Sequence, residues 1–287
     1  MKSEKFNNGW GVDIDFPLQG REAKPRDIGL TMILDKGLGL NQTKDLLEIA
    51  ANYIDFHKLS FGTSALYRPK VLEEKIELIK SYGIDIYPGG TYLEVAVTQG
   101  KLDEYLNRAK ELGFTAIEVS DGTIELTSSL RSAIIKKAVD LEFKVLSEIG
   151  KKDKKKQFKM SKMIKQLKQD IDDGAYKVIV EARESGKGIS IYNSEGELDE
   201  FKMEQLLLGA YDGNDIMWET PLKKQQVKFI NALGSNVNLG NIAPSDILAL
   251  ESLRVGVRGD TFKTSLSEED SIFKTAFLQK DNDIDEF

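Results

Sequence analysis

The sequence predicts an α/β protein folded as one (β/α)8 barrel, a TIM barrel in a single domain. Eight short β-branched or aromatic runs alternate with longer amphipathic segments from about residue 28 onward. These units fill roughly 230 residues, close to the ~250 typical of such barrels. No long linker or composition shift divides the chain. A doubly wound open sheet uses the same alternation and is the competing architecture.

The strand candidates, in order, are IGLTMIL (28–34), YIDFHKL (53–59), IDIY (84–87), AIEV (116–119), KVLSEI (144–149), YKVIVEA (176–182), DIMWE (215–219) and NVNL (236–239). Their β-branched and aromatic side chains suit a pleated, buried surface. Helical patterns lie between them: 44–52, 70–83, 101–113, 128–140, 159–174, 198–210, 222–234 and 244–254. Several close on a glycine after Leu or Asp, as at Gly113, Gly174 and Gly234, a usual helix stop. Residues 1–24 read as an N-terminal extension, 25–262 as the barrel and 263–287 as a C-terminal extension. The chain's last nine residues, QKDNDIDEF, form an acidic tail expected to be disordered.

Composition narrows the chemistry. A net charge of −7 argues against a general nucleic-acid binder, which needs a basic footprint. No apolar run reaches the ~20 residues of a membrane span, and the first residues lack the apolar core of a secretory signal. The absence of cysteine removes disulfides and thiol nucleophiles and fits a cytoplasmic protein. A single histidine, His57, leaves little room for His-based triads or multi-histidine metal sites. Chemistry must therefore run on Lys, Arg, Asp, Glu and backbone.

In a (β/α)8 barrel the active site lies at the C-terminal ends of the strands. There the sequence repeats one manner of ending, glycine-rich turns beside charge: Asp35-Lys36-Gly37, Lys58 before Phe61-Gly62-Thr63-Ser64, Pro88-Gly89-Gly90-Thr91, Glu118 with Ser120-Asp121-Gly122, Glu148-Ile149-Gly150-Lys151-Lys152, Glu181-Ala182-Arg183 onward to Lys187 and Gly188, Glu219, and Asn238 with Asn241. Exposed backbone N–H groups at such glycines can line an anion site. Each signal alone has a plainer meaning. A lone acid is usually a cap or a surface charge, KKDKKK (151–156) is a solvated loop, and alternation turns His57 away from Lys58. The P-loop spacing is absent. The conjunction carries the functional reading. Glu118, Glu148, Glu181 and Glu219 in one mouth repel unless basic groups or a hard cation compensate, and Mg2+ is the natural candidate.

With these residues in view, the chain resembles the phosphosulfolactate synthase family from about Lys24 to Phe262. The carriers are KPRDIGLTMILDKGL, YIDFHKLSFGTS, YPGGTYLE, AIEVSDGT, VLSEIGKKD, VIVEARESGKG, NVNLGNIA and LRVGVRGDTF. One departure is Lys58-Leu59-Ser60-Phe61-Gly62-Thr63-Ser64 where the family usually has Lys-Phe-Gly-Trp-Gly-Thr-Ser. The resemblance implies a Mg2+-dependent barrel enzyme that adds sulfite to phosphoenolpyruvate, giving (2R)-phospho-3-sulfolactate, and a homo-oligomer. It implies a proton donor at Lys152, from the motif Glu-Val-Gly-x-Lys. The substrate-binding expectation covers Lys36, Lys58, Gly89, Gly90, Arg183 and Lys187. The metal expectation covers Glu118, Glu148 and Glu181, with Glu219 in reserve. Lys151, on the opposite face of the strand end, is expected to face solvent. Two other readings share the fold: a noncatalytic relative like the heat-stress-associated proteins of plants, and a Schiff-base aldolase using Lys58 or Lys152.

Overall fold

Eight parallel strands form the barrel wall: Thr31–Asp35 (β1), Phe56–Leu59 (β2), Asp85–Tyr87 (β3), Ala116–Val119 (β4), Lys144–Ile149 (β5), Lys177–Val180 (β6), Ile216–Glu219 (β7) and Leu239–Ile242 (β8). The computed structural model describes residue 10 and residues 14–268. The helices are Leu40–Ala50 (α1), Pro69–Ser81 (α2), Gly90–Thr98 (α3), Leu102–Leu112 (α4), Ser128–Asp140 (α5), Met160–Asp172 (α6), Glu200–Gly209 (α7), Lys223–Leu233 (α8), Ile247–Arg254 (α9) and Gly259–Glu268 (α10).

The strand order β3-β2-β1-β8-β7-β6-β5-β4 pairs the first strand with both the second and the last, which an open doubly wound sheet does not do. Between β3 and β4 the wall is joined by two bonds. Thr115 N–H donates to the Ile86 carbonyl at 3.1 Å, and Ile86 N–H donates to Thr115 Oγ1 at 3.0 Å.

Strand side chains alternate between the barrel interior and the helix layer. The outward set, including Ile33, Ile86, Ile117, Val145, Val178 and Trp218, packs in one core with the helices. The inward set, including Met32, Phe56, Tyr87, Leu146, Ile179 and Met217, forms a separate apolar plug. Two residues further along five strands, on the same inward face, the apolar series becomes charged. Phe56 is followed by Lys58, Ala116 by Glu118, Leu146 by Glu148, Ile179 by Glu181 and Met217 by Glu219. The period of two thus places these side chains in one layer above the plug, at the C-terminal mouth.

Two features, the start of the last strand and two further helices, depart from the sequence reading. The last strand begins at Leu239 rather than at 236 and carries a register irregularity against β1. Helix α3, immediately after Gly89-Gly90, was not expected, nor was α10, and α10 runs across the residue 262 boundary. Part of the N-terminal extension is tied to the barrel: Arg21 pairs with Glu251 at 2.8 Å, and Leu18 N–H donates to the Val255 carbonyl. The acidic tail lies outside the described residues.

Candidate active site

Lys58 stands at the centre of the charged layer. Its Nζ lies 2.8 Å from Glu118, 3.4 Å from Glu219 and 3.6 Å from Glu148, all almost wholly buried. Burial alone would lower the lysine's pKa, but Glu118, Glu219 and Glu148 outweigh it and hold the ammonium well above its ordinary value. The carboxylates respond differently. Burial raises Glu118 against the pull of Lys58. Glu148 is also buried, yet Lys152 and Lys58 draw it below the usual range. Burial together with Glu148 and Glu219 pushes Glu181 well up. Burial brings Glu219 to about 6, with Lys58 opposing.

Glu148, Glu181 and Glu219 bring carboxylate oxygens within 4.8 Å of one another. Glu148 Oε1 and Glu181 Oε2 are buried and receive no hydrogen bond from the described residues. Their other neighbours are fixed: Ala182 N–H donates to Glu219 at 2.8 Å and Arg183 N–H to Glu181 at 2.5 Å. Glu118, placed among the metal candidates from sequence, lies outside this group of three. It pairs with Lys58 and accepts the Gly90 N–H at 2.7 Å. The trio is completed by Glu219, the reserve candidate.

The Pro88-Gly89-Gly90-Thr91 turn forms one wall of this mouth. Gly89 sits at φ 74°, a left-handed conformation that favours glycine. A Cβ at Gly90 would lie 2.3 Å from Ser120 Oγ and 2.7 Å from Glu118 Oε1, so the close approach also requires glycine. The acid that follows, Glu94, is buried on α3. It accepts Ser120 Oγ–H at 2.6 Å and the Thr123 and Ile124 N–H groups at 2.9 and 3.0 Å, fixing the loop after β4.

The two lysines after β5 separate, as the alternation predicts, but Lys151 does not face solvent. It is buried at 4% exposure. Its Nζ pairs with the Asp121 carboxylate at 2.7 Å, donates to the carbonyls of Asp121 and Ile124, and lies over the Phe158 ring. The sequence reading of KKDKKK as a solvated loop fails here because the partners lie on a distant loop. Lys152 enters the mouth, half-buried. Its Nζ donates to Thr91 Oγ1 at 3.2 Å and stands 3.9 Å from Glu181. Burial opposes its charge, but Glu148 and Glu181 outweigh burial and raise its pKa.

The cavity so enclosed measures about 370 Å3, and Lys58, Gly89, Gly90, Lys152 and Arg183 all line it. Lys36 and Lys187 are not among its lining residues. Lys36 pairs at the rim with Glu184, and Lys187 is exposed. His57 is turned to the other face of β2 and bonds Asp35 at 2.8 Å, away from the cavity. Several lining residues escaped the sequence reading of the site, Thr91 and Asn241 among them. Thr91 follows the double glycine in a motif already singled out, and Asn241 was noted only as a strand end. Asn241 Oδ1 is buried without a partner among the described residues. Phe61, Arg183 and Asn241 also hold φ of 58°, 61° and 56°, strain of roughly 1–3 kcal/mol each concentrated round one mouth.

Residues 19–260 match the family model described as (2R)-phospho-3-sulfolactate synthase (ComA). A phosphosulfolactate synthase of Methanocaldococcus jannaschii is 47% identical over 82% of this chain and 94% of its own. That of Methanothermobacter thermautotrophicus is 42% identical over 86% and 96%, and that of Bacillus subtilis 40% over 87% and 98%. Among solved structures, the 3-hexulose-6-phosphate synthase of Salmonella typhimurium superposes with a TM-score of 0.51 at 11% identity, over 79% of this chain and 98% of that one. A dihydrodipicolinate synthase of Agrobacterium tumefaciens gives 0.52 at 10% identity, over 88% and 83%. These two likenesses concern the barrel fold alone.

Proposed function

We propose that this chain, which belongs to the (2R)-phospho-3-sulfolactate synthase family, catalyses the Mg2+-dependent addition of sulfite to phosphoenolpyruvate. The observation that carries the reading is the convergence of Glu148, Glu181 and Glu219 within 4.8 Å, facing Lys152 and Arg183 across one cavity. Sulfite is already a strong nucleophile, so no His or Cys is needed to activate it. The obstacle is bringing it to a substrate that carries phosphate and carboxylate. Arg183, at the rim, can take the phosphate with its planar guanidinium. Lys58 is the fixed positive charge of the floor.

Glu148, Glu181 and Glu219 would hold the cation, and the buried oxygens of Glu148 and Glu181 that receive no hydrogen bond fit that role. When bound, Mg2+ supplies Lewis-acid stabilisation of negative charge on the substrate. Sulfite's sulfur lone pair forms the new bond to C3, and the double-bond electrons move toward the carboxylate. Lys152, held as an ammonium, delivers its proton to C2 and regains one from solvent. The sum is one sulfonate and one hydrogen added across the double bond, with the phosphate ester intact.

The same charges weigh against a Schiff-base mechanism, which needs a neutral amine. Both Lys58 and Lys152 are held in the protonated form. The test is incubation with phosphoenolpyruvate, sulfite and Mg2+ and mass detection of the adduct. We expect phosphosulfolactate with Mg2+ and none after exhaustive chelation. An adduct formed at full rate without metal would remove the cation from the reading, and no adduct under any condition would overturn the reading itself.

A further inference from the structure

Resting on the proposed role of Lys152 as proton donor, we infer that Gly122 and Thr91 are the positioning residues that hold its ammonium at one place in the mouth. Gly122 belongs to the loop after β4 that Glu94 and Lys151 fasten from two sides. Its carbonyl accepts the Lys152 N–H at 3.1 Å, so the two backbones are joined. The Lys152 stem then runs directly over the Gly122 α-carbon. A Cβ built there would meet Cε at 3.0 Å, Cδ at 3.2 Å and Cγ at 3.2 Å.

Gly122 does not occupy the left-handed region, so its backbone places no demand for glycine. The nearest obstacle to a side chain is the lysine itself. The missing Cβ is a trough in which the stem lies, and Thr91 Oγ1, in the turn after the neighbouring strand β3, receives the ammonium at 3.2 Å. Four methylenes otherwise give a lysine many rotamers. Trough and acceptor together fix where the nitrogen sits: one N–H is given to Thr91, and the other two remain for the cavity. A donor held at one place protonates C2 from one face, which connects this pair to the configuration of the product as well as to its rate.

The test uses the full chain with Gly122→Ala, and Thr91→Val against Thr91→Ser. The added methyl must shift the stem by a few tenths of an ångström. Small misplacements of a reacting group cost rate steeply, so we expect turnover to fall about tenfold in Gly122→Ala. The Michaelis constant for phosphoenolpyruvate should stay within about twofold, because no phosphate contact is touched. The product should also lose enantiomeric purity at C2, as water protonates the unguarded face. Thr91→Val should show the same pattern, and Thr91→Ser, which keeps the oxygen, should recover most of the loss.

A third readout is independent of the reaction. Acetic anhydride labelling of Lys152, followed by mass spectrometry, should be faster in Gly122→Ala and Thr91→Val than in wild type. Unchanged turnover, enantiomeric purity and labelling in folded variants would overturn the inference, as would a rise confined to the Michaelis constant. If Gly122→Ala does not fold, the Val and Ser variants of Thr91 decide alone. Wild-type protein that forms no adduct would sink the functional reading, while the labelling comparison would still judge the positioning.

Discussion

Lys151 and Lys152 leave β5 on opposite sides, one beneath the β4–α5 loop against Asp121, the other into the cavity beside Thr91 and Glu181. Alternation along an extended strand end makes that separation legible in the sequence. It says nothing of what receives each side chain, because Asp121 is 30 residues away. The consequence for mutation is specific. Lys152→Ala should lose turnover by ~100-fold or more while the fold holds, the range for a positioned acid. Lys151→Ala should fail differently. It leaves Asp121 with only its longer contact to Arg131, at 3.3 Å, and strips two carbonyls of their donor. Breaking a buried pair of this kind costs about 3 kcal/mol. The melting temperature should fall by roughly 5–10 °C, with turnover of the folded fraction much less affected. Thermal melts and steady-state kinetics on both variants check the pair. Equal loss of turnover in two equally stable variants would remove the distinction between them.

At the scale of elements, β1, β2 and α2 are fastened outside the barrel by a buried group. Asp35 Oδ2 meets His57 Nε2 at 2.8 Å and Lys75 Nζ at 2.5 Å, while Oδ1 accepts the Gly37 and Leu38 N–H groups. Burial opposes the Asp35 charge, but His57 and Lys75 outweigh it and hold the carboxyl below its usual range. Burial lowers His57 despite Asp35, so the ring is neutral and donates through Nε2. Both folded values lie below the unfolded ones. Below pH ~6.5 the unfolded chain takes a proton on histidine that the folded chain refuses. Stability from His57 therefore falls as pH drops through that region, and stability from Asp35 falls below pH ~4. Glu219, raised to about 6, contributes with the opposite sign, so the comparison must be made against a variant. Between pH 7.5 and 5.5, wild type should lose more melting temperature than His57→Gln, since only wild type carries the histidine contribution. Parallel pH slopes would refute the linkage. The elements themselves were largely legible from periodicity: seven strand runs cover most of their observed strands, and the eighth meets its strand only at Leu239. The eighth was misread because its end turns on Asn241 at φ 56°, which no pattern signals. Helix α3 was hidden by Gly89-Gly90, which reads as a turn and is in fact the turn that starts a helix.

Over the whole molecule the inward face of the wall carries two chemistries separated by one pleat: an apolar plug, and above it a layer with Lys58 and four buried glutamates. That the acids lie at strand ends was readable one strand at a time. Which three converge was not, because barrel tilt and register decide it: Glu148 pairs across with Ile179, two residues short of Glu181. Such a layer is an expense to the fold, since buried like charges repel and the Lys58 ammonium offsets only part of the repulsion. A divalent cation on Glu148, Glu181 and Glu219 would relieve it only in the folded state, because the unfolded chain has no such site. Binding is therefore linked to stability. At a concentration near 100 times the dissociation constant the gain is about 2.7 kcal/mol, or a rise of roughly 5–10 °C in melting temperature. Mg2+ added to chelator-treated protein should produce that shift without any substrate. Glu148→Gln should abolish most of it, while Glu118→Gln, which alters the Lys58 pairing and not the trio, should retain it. A shift lost equally in both variants would move the cation toward Glu118, and no shift in wild type would mean that the layer is balanced by Lys58, Lys152 and retained protons.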